Sequence, residues 1–149
     1  MATINSKSPE DLENFHRSKF NGGGYSKISQ KLFWEIYDNI KNDFSEIYFA
    51  TRTEEPRRNT EFCVSRGNKR KSFLDFYIKD IDVWIEFDGY YYHGEKYDVQ
   101  KIKDNEKQRE NDILKNNPSL KLLRIKEVDF KNNKNEVVKR CLDFIYSNR

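Results

Sequence analysis

The chain has 149 residues, enough for one domain with a buried core and too few for an extended multidomain array. Charged residues make up 36% of it and aromatic residues 15%, so a densely ionic surface surrounds a core of large rings, and wholesale disorder is excluded. The net charge of +3 is too small to define a partner. Its distribution is uneven, with Arg52, Arg57, Arg58, Arg66, Lys69, Arg70 and Lys71 outweighing Glu54, Glu55 and Glu61 over 52–71, and a second basic stretch at Lys101, Lys103, Lys107 and Arg109. Such local excess suits a phosphate backbone. Cys63 and Cys141 stand far apart, which predicts free thiols in a reducing compartment and no structural zinc. With no apolar run of membrane-spanning length and no signal-peptide core at the N-terminus, a soluble, cytoplasmic chain with no membrane partner is expected.

Residues 1–24 are polar and close on Asn21-Gly22-Gly23-Gly24, predicting a flexible arm, with a short helix from Pro9, ahead of a single domain over 25–149. From Ser26 the spacing of Ile28, Leu32, Phe33, Ile36, Tyr37 and Ile40 predicts an amphipathic helix. A strand over Ile47–Ala50, a loop holding Pro56 and a strand over Glu61–Ser65 follow, then a turn at Arg66-Gly67-Asn68 and two more strands. A charged helix over 98–116 ends at Asn116-Asn117-Pro118. Leu120–Ile125 reads as a strand. A last helix begins near Asn133, where Glu136 completes a capping box and Val137, Val138, Cys141, Leu142 and Ile145 form the apolar stripe. The order predicts an α/β layered domain around a mixed sheet.

The two strands over 73–88 carry the chemistry. Alternation puts Leu74, Phe76 and Ile78 on one face of the first strand and Phe73, Asp75 and Tyr77 on the other. In the second, Val83, Ile85 and Phe87 oppose Asp82, Trp84, Glu86 and Asp88. A turn centred on Asp80-Ile81 sets Asp75 opposite Glu86, with Asp88 further along the same face. Opposed like charges destabilise a sheet. The pattern therefore predicts a bound cation, and oxygen-only ligands suit Mg²⁺, with Mn²⁺ able to substitute, or Ca²⁺. A solvated row of surface carboxylates is the plainer alternative.

Asp75 on one strand, then Glu86-Phe87-Asp88-Gly89 and His93 on the next, within that element order, resembles the PD-(D/E)XK nuclease superfamily. The nearer likeness is to the branch of very-short-patch repair endonucleases, whose phage-associated homing enzymes carry a so-called EDxHD set. The likeness spans 26–127. It implies a restriction-endonuclease-like α-β-β-β-α-β core with a mixed sheet flanked by helices, acting as a metal-dependent DNA endonuclease of the homing or mobile-element kind. A mismatch-nicking repair enzyme, a restriction endonuclease and an inactive DNA-binding module of the same fold are the alternatives.

The implied catalytic set is Asp75, Glu86, Asp88 and His93, the first three as Mg²⁺ ligands and His93 as general base or acid. Asp88 stands where the superfamily commonly has lysine, and the cysteines of the repair enzymes' zinc site are missing. The first helix of such enzymes often supplies a glutamate. That position falls on Gln30 here, with Glu35 the nearest carboxylate, and helical geometry leaves both open. Double-stranded DNA is the implied partner. Arg57, Arg58, Arg66, Lys69, Arg70 and Lys71 would meet phosphates, as would Lys107 or Arg109 on the charged helix. Glu106 or Asp104 could complete the acidic set, and Tyr90, Tyr91 and Tyr92 could stack on bases. A single site cuts one strand, so a double-strand cut implies a homodimer or successive nicks.

Overall fold

In the computed structural model, which describes residues 27–50, 61–89 and 99–149, the first apolar stripe forms helix α1, Lys27–Ile40. Leu32, Phe33, Ile36 and Ile40 are buried along it at helical spacing. The sequence then gives strand β1, Ile47–Tyr48, shorter than the predicted four residues, although Phe49 and Ala50 are buried beyond it. Strands β2, Phe62–Gly67, and β3, Arg70–Leu74, form a hairpin. Its tip runs through left-handed backbone at Gly67, Asn68 and Lys69. At Gly67 a Cβ would come 3.0 Å from the Asn116 side chain, so both φ and space favour glycine there.

Strand β4, Phe76–Ile78, leads through a 3-10 turn at Lys79–Ile81 into strand β5, Val83–Asp88. Asp82 takes the left-handed conformation at that turn, which aspartate tolerates, and accepts hydrogen bonds from Tyr77 Oη and Ser119 Oγ. Helix α2, Val99–Asn116, carries the chain back so that strand β6, Lys121–Lys126, lies parallel to β5. Helices α3, Glu127–Asn132, and α4, Lys134–Ser147, complete the chain. The Asn133 side chain accepts from the Glu136 amide at 3.2 Å, the predicted N-cap.

The fold is mixed α/β. One sheet has four strands in the order β1-β4-β5-β6, antiparallel except for the β5–β6 pair, and the β2–β3 hairpin is a separate sheet. One face of the large sheet packs Phe76, Ile78, Val83, Ile85, Phe87 and Ile125 against the stripes of α1, α3 and α4. The other packs Tyr48, Tyr77 and Trp84 with Leu74, Val64, Ile113 and Leu120, beneath α2 and the hairpin. Strand β5 is thus covered on both sides. No described helix is long and apolar enough to cross a membrane.

Three sequence expectations are corrected. The run 73–78 is not one strand, because it bends at Asp75, with β3 pairing only β2 and β4 pairing β1 and β5. Leu74 consequently joins the Tyr77 and Trp84 side rather than that of Phe76 and Ile78. Helix α3 occupies a stretch read as a connection. The predicted arm over 1–24 and the Pro56 loop lie outside the described residues.

Removing the cap tests the last helix: Asn133→Ala should lower stability to urea by about 1 kcal/mol, and an unchanged midpoint would contradict the capping role.

Candidate active site

Pairing of Phe76 with Ile85, Tyr77 with Trp84 and Ile78 with Val83 sets the β4–β5 register. Continued by one residue, that register aligns Asp75 with Glu86, as the alternation predicted. The strand bends at this point, and Asp75 Oδ2 accepts the Phe87 amide at 2.9 Å, so a side chain satisfies a backbone donor where strand pairing stops.

Glu86 is buried, at 6% exposure, on the face roofed by α2. Its Oε2 accepts from the Trp84 indole at 2.7 Å, and its Oε1 accepts from Arg109 Nη1 at 3.1 Å. Arg109 projects from α2 with its guanidinium 5.8 Å from the Trp84 ring. Its Nε donates to Ser72 Oγ at 2.6 Å, and its Nη2 donates to the Phe73 carbonyl.

Burial pushes the Asp75 carboxyl up to about 8; the neighbouring Glu61 carboxylate adds to the rise, and the Phe87 amide and Arg109 oppose it. Glu61 also hydrogen bonds to Asp75. Burial likewise raises Glu86 to about 8, helped by the Asp75 charge and opposed by Arg109, Trp84 and Arg124. These two carboxyls resist ionising together in closed surroundings.

Asp88 is half-buried and accepts from Arg124 Nη1 at 2.5 Å. The Nε of the same arginine donates to Glu110 on α2. Arg124 reaches this position because the parallel register sets it beside Glu86 on β6. Burial raises the Asp88 carboxyl, with Arg124 opposing. Asp88 is therefore held by an arginine rather than gathered with Asp75.

The two first-helix candidates separate. Gln30 Nε2 donates to the Ala50 carbonyl at 2.7 Å, one turn before Phe33, whose ring lies 5.4 Å from Phe76 and 6.4 Å from Phe87. Those two aromatics are chain neighbours of Asp75 and Glu86. Glu35 instead pairs with Lys134 on α4 at 3.0 Å. Glu106 is exposed and 3.8 Å from Arg109, while Asp104 accepts from Gln100 at 2.9 Å.

Among the basic residues, Lys69, Arg70 and Lys71 are exposed on the hairpin and Lys107 on α2. Arg66 and Arg70 lie 3.2 and 3.4 Å from Asp112, which ties the hairpin to α2. Arg109, expected to meet phosphate, has each guanidinium nitrogen engaged inside the protein. Arg57, Arg58, the Tyr90–Tyr92 run and His93 fall outside the described residues.

Glu61, Ser72, Trp84 and Arg124 were not singled out from sequence as site residues. The usable signal for Arg124 was a lone arginine amid an apolar strand. Among the described residues no three His, Cys, Asp or Glu side chains are grouped to hold a metal ion. What Asp75 and Glu86 offer is an oxygen-only pair, and a carboxylate has about four acceptor positions, more than the two bonds on Glu86 fill. That chemistry fits a hard cation. No family model, curated protein or solved structure matches the chain.

The raised carboxyls make stability pH-dependent. An acid near pKa about 4 in the unfolded chain and about 8 in the fold keeps its proton in the fold between those values. The fold then binds more protons than the unfolded chain, so this contribution is lost as pH rises through the window. With a chelator present, raising pH from about 5 to about 8 should destabilise the wild type more than Asp75→Asn in urea titrations. Parallel pH profiles for the two proteins would contradict the assignment.

Proposed function

We propose that this chain is a divalent-metal-dependent endodeoxyribonuclease with a restriction-endonuclease-like core, hydrolysing phosphodiester bonds in double-stranded DNA. The observation that carries the reading is the Asp75–Glu86 pair: Asp75, at the bend before β4, accepts a hydrogen bond from the Phe87 amide of β5, burial raises both carboxyls, and the Asp75 charge adds to the rise at Glu86. Strongly perturbed carboxyls cluster at functional sites. The helix–strand order and the mixed sheet agree with the PD-(D/E)XK resemblance.

In this reading Asp75 and Glu86 hold Mg²⁺, or Mn²⁺ in its place, with the Phe87 carbonyl as a further oxygen donor. When bound, the cation supplies Lewis acidity at the phosphoryl oxygens and lowers the pKa of an attacking water. His93, five residues beyond Asp88, serves as general base or acid. Asp88, held by Arg124, fixes that arginine beside Glu86 rather than meeting the cation directly. Gln30 holds the Ala50 carbonyl from α1, and Glu35 is assigned to the α1–α4 contact. Lys69, Lys71 and Lys107 supply exposed charge for phosphates, with Arg70 available where DNA displaces Asp112.

The closest homing, mismatch-nicking and restriction activities share this chemistry and differ in the DNA they select. An inactive DNA-binding module is favoured by one observation, Asp88 standing where the superfamily commonly has lysine.

Cleavage of supercoiled plasmid with Mg²⁺ or Mn²⁺ decides between them. The wild type should nick or linearise it, with Asp75→Ala slower by about 10³-fold or more and His93→Ala by about 10²-fold. DNA binding without cleavage in either metal would sink the enzyme reading, and undiminished cleavage by Asp75→Ala would sink the site assignment.

A further inference from the structure

The charged helix α2 contributes one residue whose contacts fit neither a surface charge nor a DNA contact. Arg109 is 17% exposed at its side chain, and its three nitrogens reach three different groups. Nε and Nη2 hold β3, through Ser72 Oγ at 2.6 Å and the Phe73 carbonyl, three and two residues before the bend at Asp75. Nη1 holds Glu86 Oε1 at 3.1 Å on β5. The other Glu86 oxygen is held at 2.7 Å by Trp84, whose ring also lies against the guanidinium. One planar fork therefore spans the two chain segments that carry the facing carboxyls.

We propose that Arg109 is the positioning residue of the carboxylate pair: it fixes Glu86 from α2 and anchors the Phe73 end of the Asp75 bend, so that both oxygens sets meet one divalent cation. The proposal rests on the endonuclease reading for its catalytic consequence, though not for its effect on cation binding. Three directional bonds from one rigid group need the arginine geometry, and a lysine ammonium keeps the charge but cannot reproduce the fork. The next residue acts at one remove two residues further along β5, where Glu110 holds Arg124 and Arg124 holds Asp88. Helix α2 thus holds Glu86 directly through Arg109 and Asp88 indirectly through Glu110 and Arg124. Three of its five N–H donors commit Arg109 inside the protein and its side chain is largely buried, which separates its role from that of the exposed Lys107 two residues earlier.

Arg109→Lys in the full chain is the test, with Mn²⁺ affinity measured by calorimetry without DNA, alongside DNA affinity in the presence of chelator and single-turnover cleavage. The Mn²⁺ dissociation constant should rise about 10-fold and the cleavage rate fall about 10- to 100-fold. DNA affinity should stay within about twofold, since a charge remains and no phosphate contact is lost. Asn133→Ala, destabilised far from the site, should leave the Mn²⁺ affinity and rate unchanged. Weaker DNA binding with unaltered Mn²⁺ affinity would instead make Arg109 a phosphate contact, and a lowered melting temperature alone would make it a packing residue; either overturns the proposal. If Arg109→Lys does not fold, Ser72→Ala removes only the Nε bond and should weaken Mn²⁺ binding and slow cleavage by about threefold, within the range of one lost hydrogen bond. Unchanged values in that variant also overturn the proposal. A wild type that binds Mn²⁺ without cutting DNA would defeat the nuclease reading while leaving the Mn²⁺ comparison decisive for Arg109. A wild type that neither binds nor cuts overturns both.

Discussion

Burying a carboxylate is costly unless its lone pairs are met, and β5 carries two acidic residues into a strand covered on both faces. Much of the surrounding structure answers that constraint. Trp84 turns its indole to Glu86 from the same strand, Arg109 reaches it from α2, and the Phe87 amide turns to Asp75 where the strand bends. Arg124 arrives from β6 to hold Asp88, and is itself held by Glu110. Replacing one of these donors would leave a buried acceptor unmet, which costs more than the bond contributes when formed.

The arrangement offsets only part of the charge. Glu61, Asp75, Glu86, Asp88 and Glu110 gather around Arg109 and Arg124, so acids outnumber bases at the end of the β4–β5 pair away from the 79–82 turn. Burial raises the carboxyls of Asp75, Glu86 and Asp88, and the excess of neighbouring acid charge adds to the rise. Protons relieve it in the cation-free chain. A divalent ion would relieve it more completely, and this unmet demand is the link from packing to the proposed chemistry. Helix α2 serves both ends of that link, because Arg109 and Glu110 hold the site while Asp112 holds the basic hairpin through Arg66 and Arg70.

The sequence made the short-range features legible. Helix α1 followed from its apolar spacing, the last helix from Asn133 and Glu136, and the Asp75–Glu86 alignment from alternation about the 79–82 turn. What it concealed depends on distant partners. Apolar alternation runs straight through Leu74 and Phe76, so nothing local announces the bend that Phe87 helps to set at Asp75. The commitment of Arg109 could not be read without knowing that α2 lies over Ser72 and Glu86. Likewise Arg124 becomes a site residue only through the parallel β5–β6 register. Glu127–Asn132 has few apolar residues and no side-chain cap, so α3 forms on tertiary packing through Phe130 rather than on a local signal.

On the proposed reading, Asp75 and Glu86 form a centre whose protons would give way to a divalent cation. Calorimetric titration of Mg²⁺ or Mn²⁺ in buffers of different ionisation enthalpy counts the protons released on binding. At about pH 7 roughly one to two protons should be released per ion bound, with the release reduced in Asp75→Asn. Binding without proton release, or no binding at all, would contradict it.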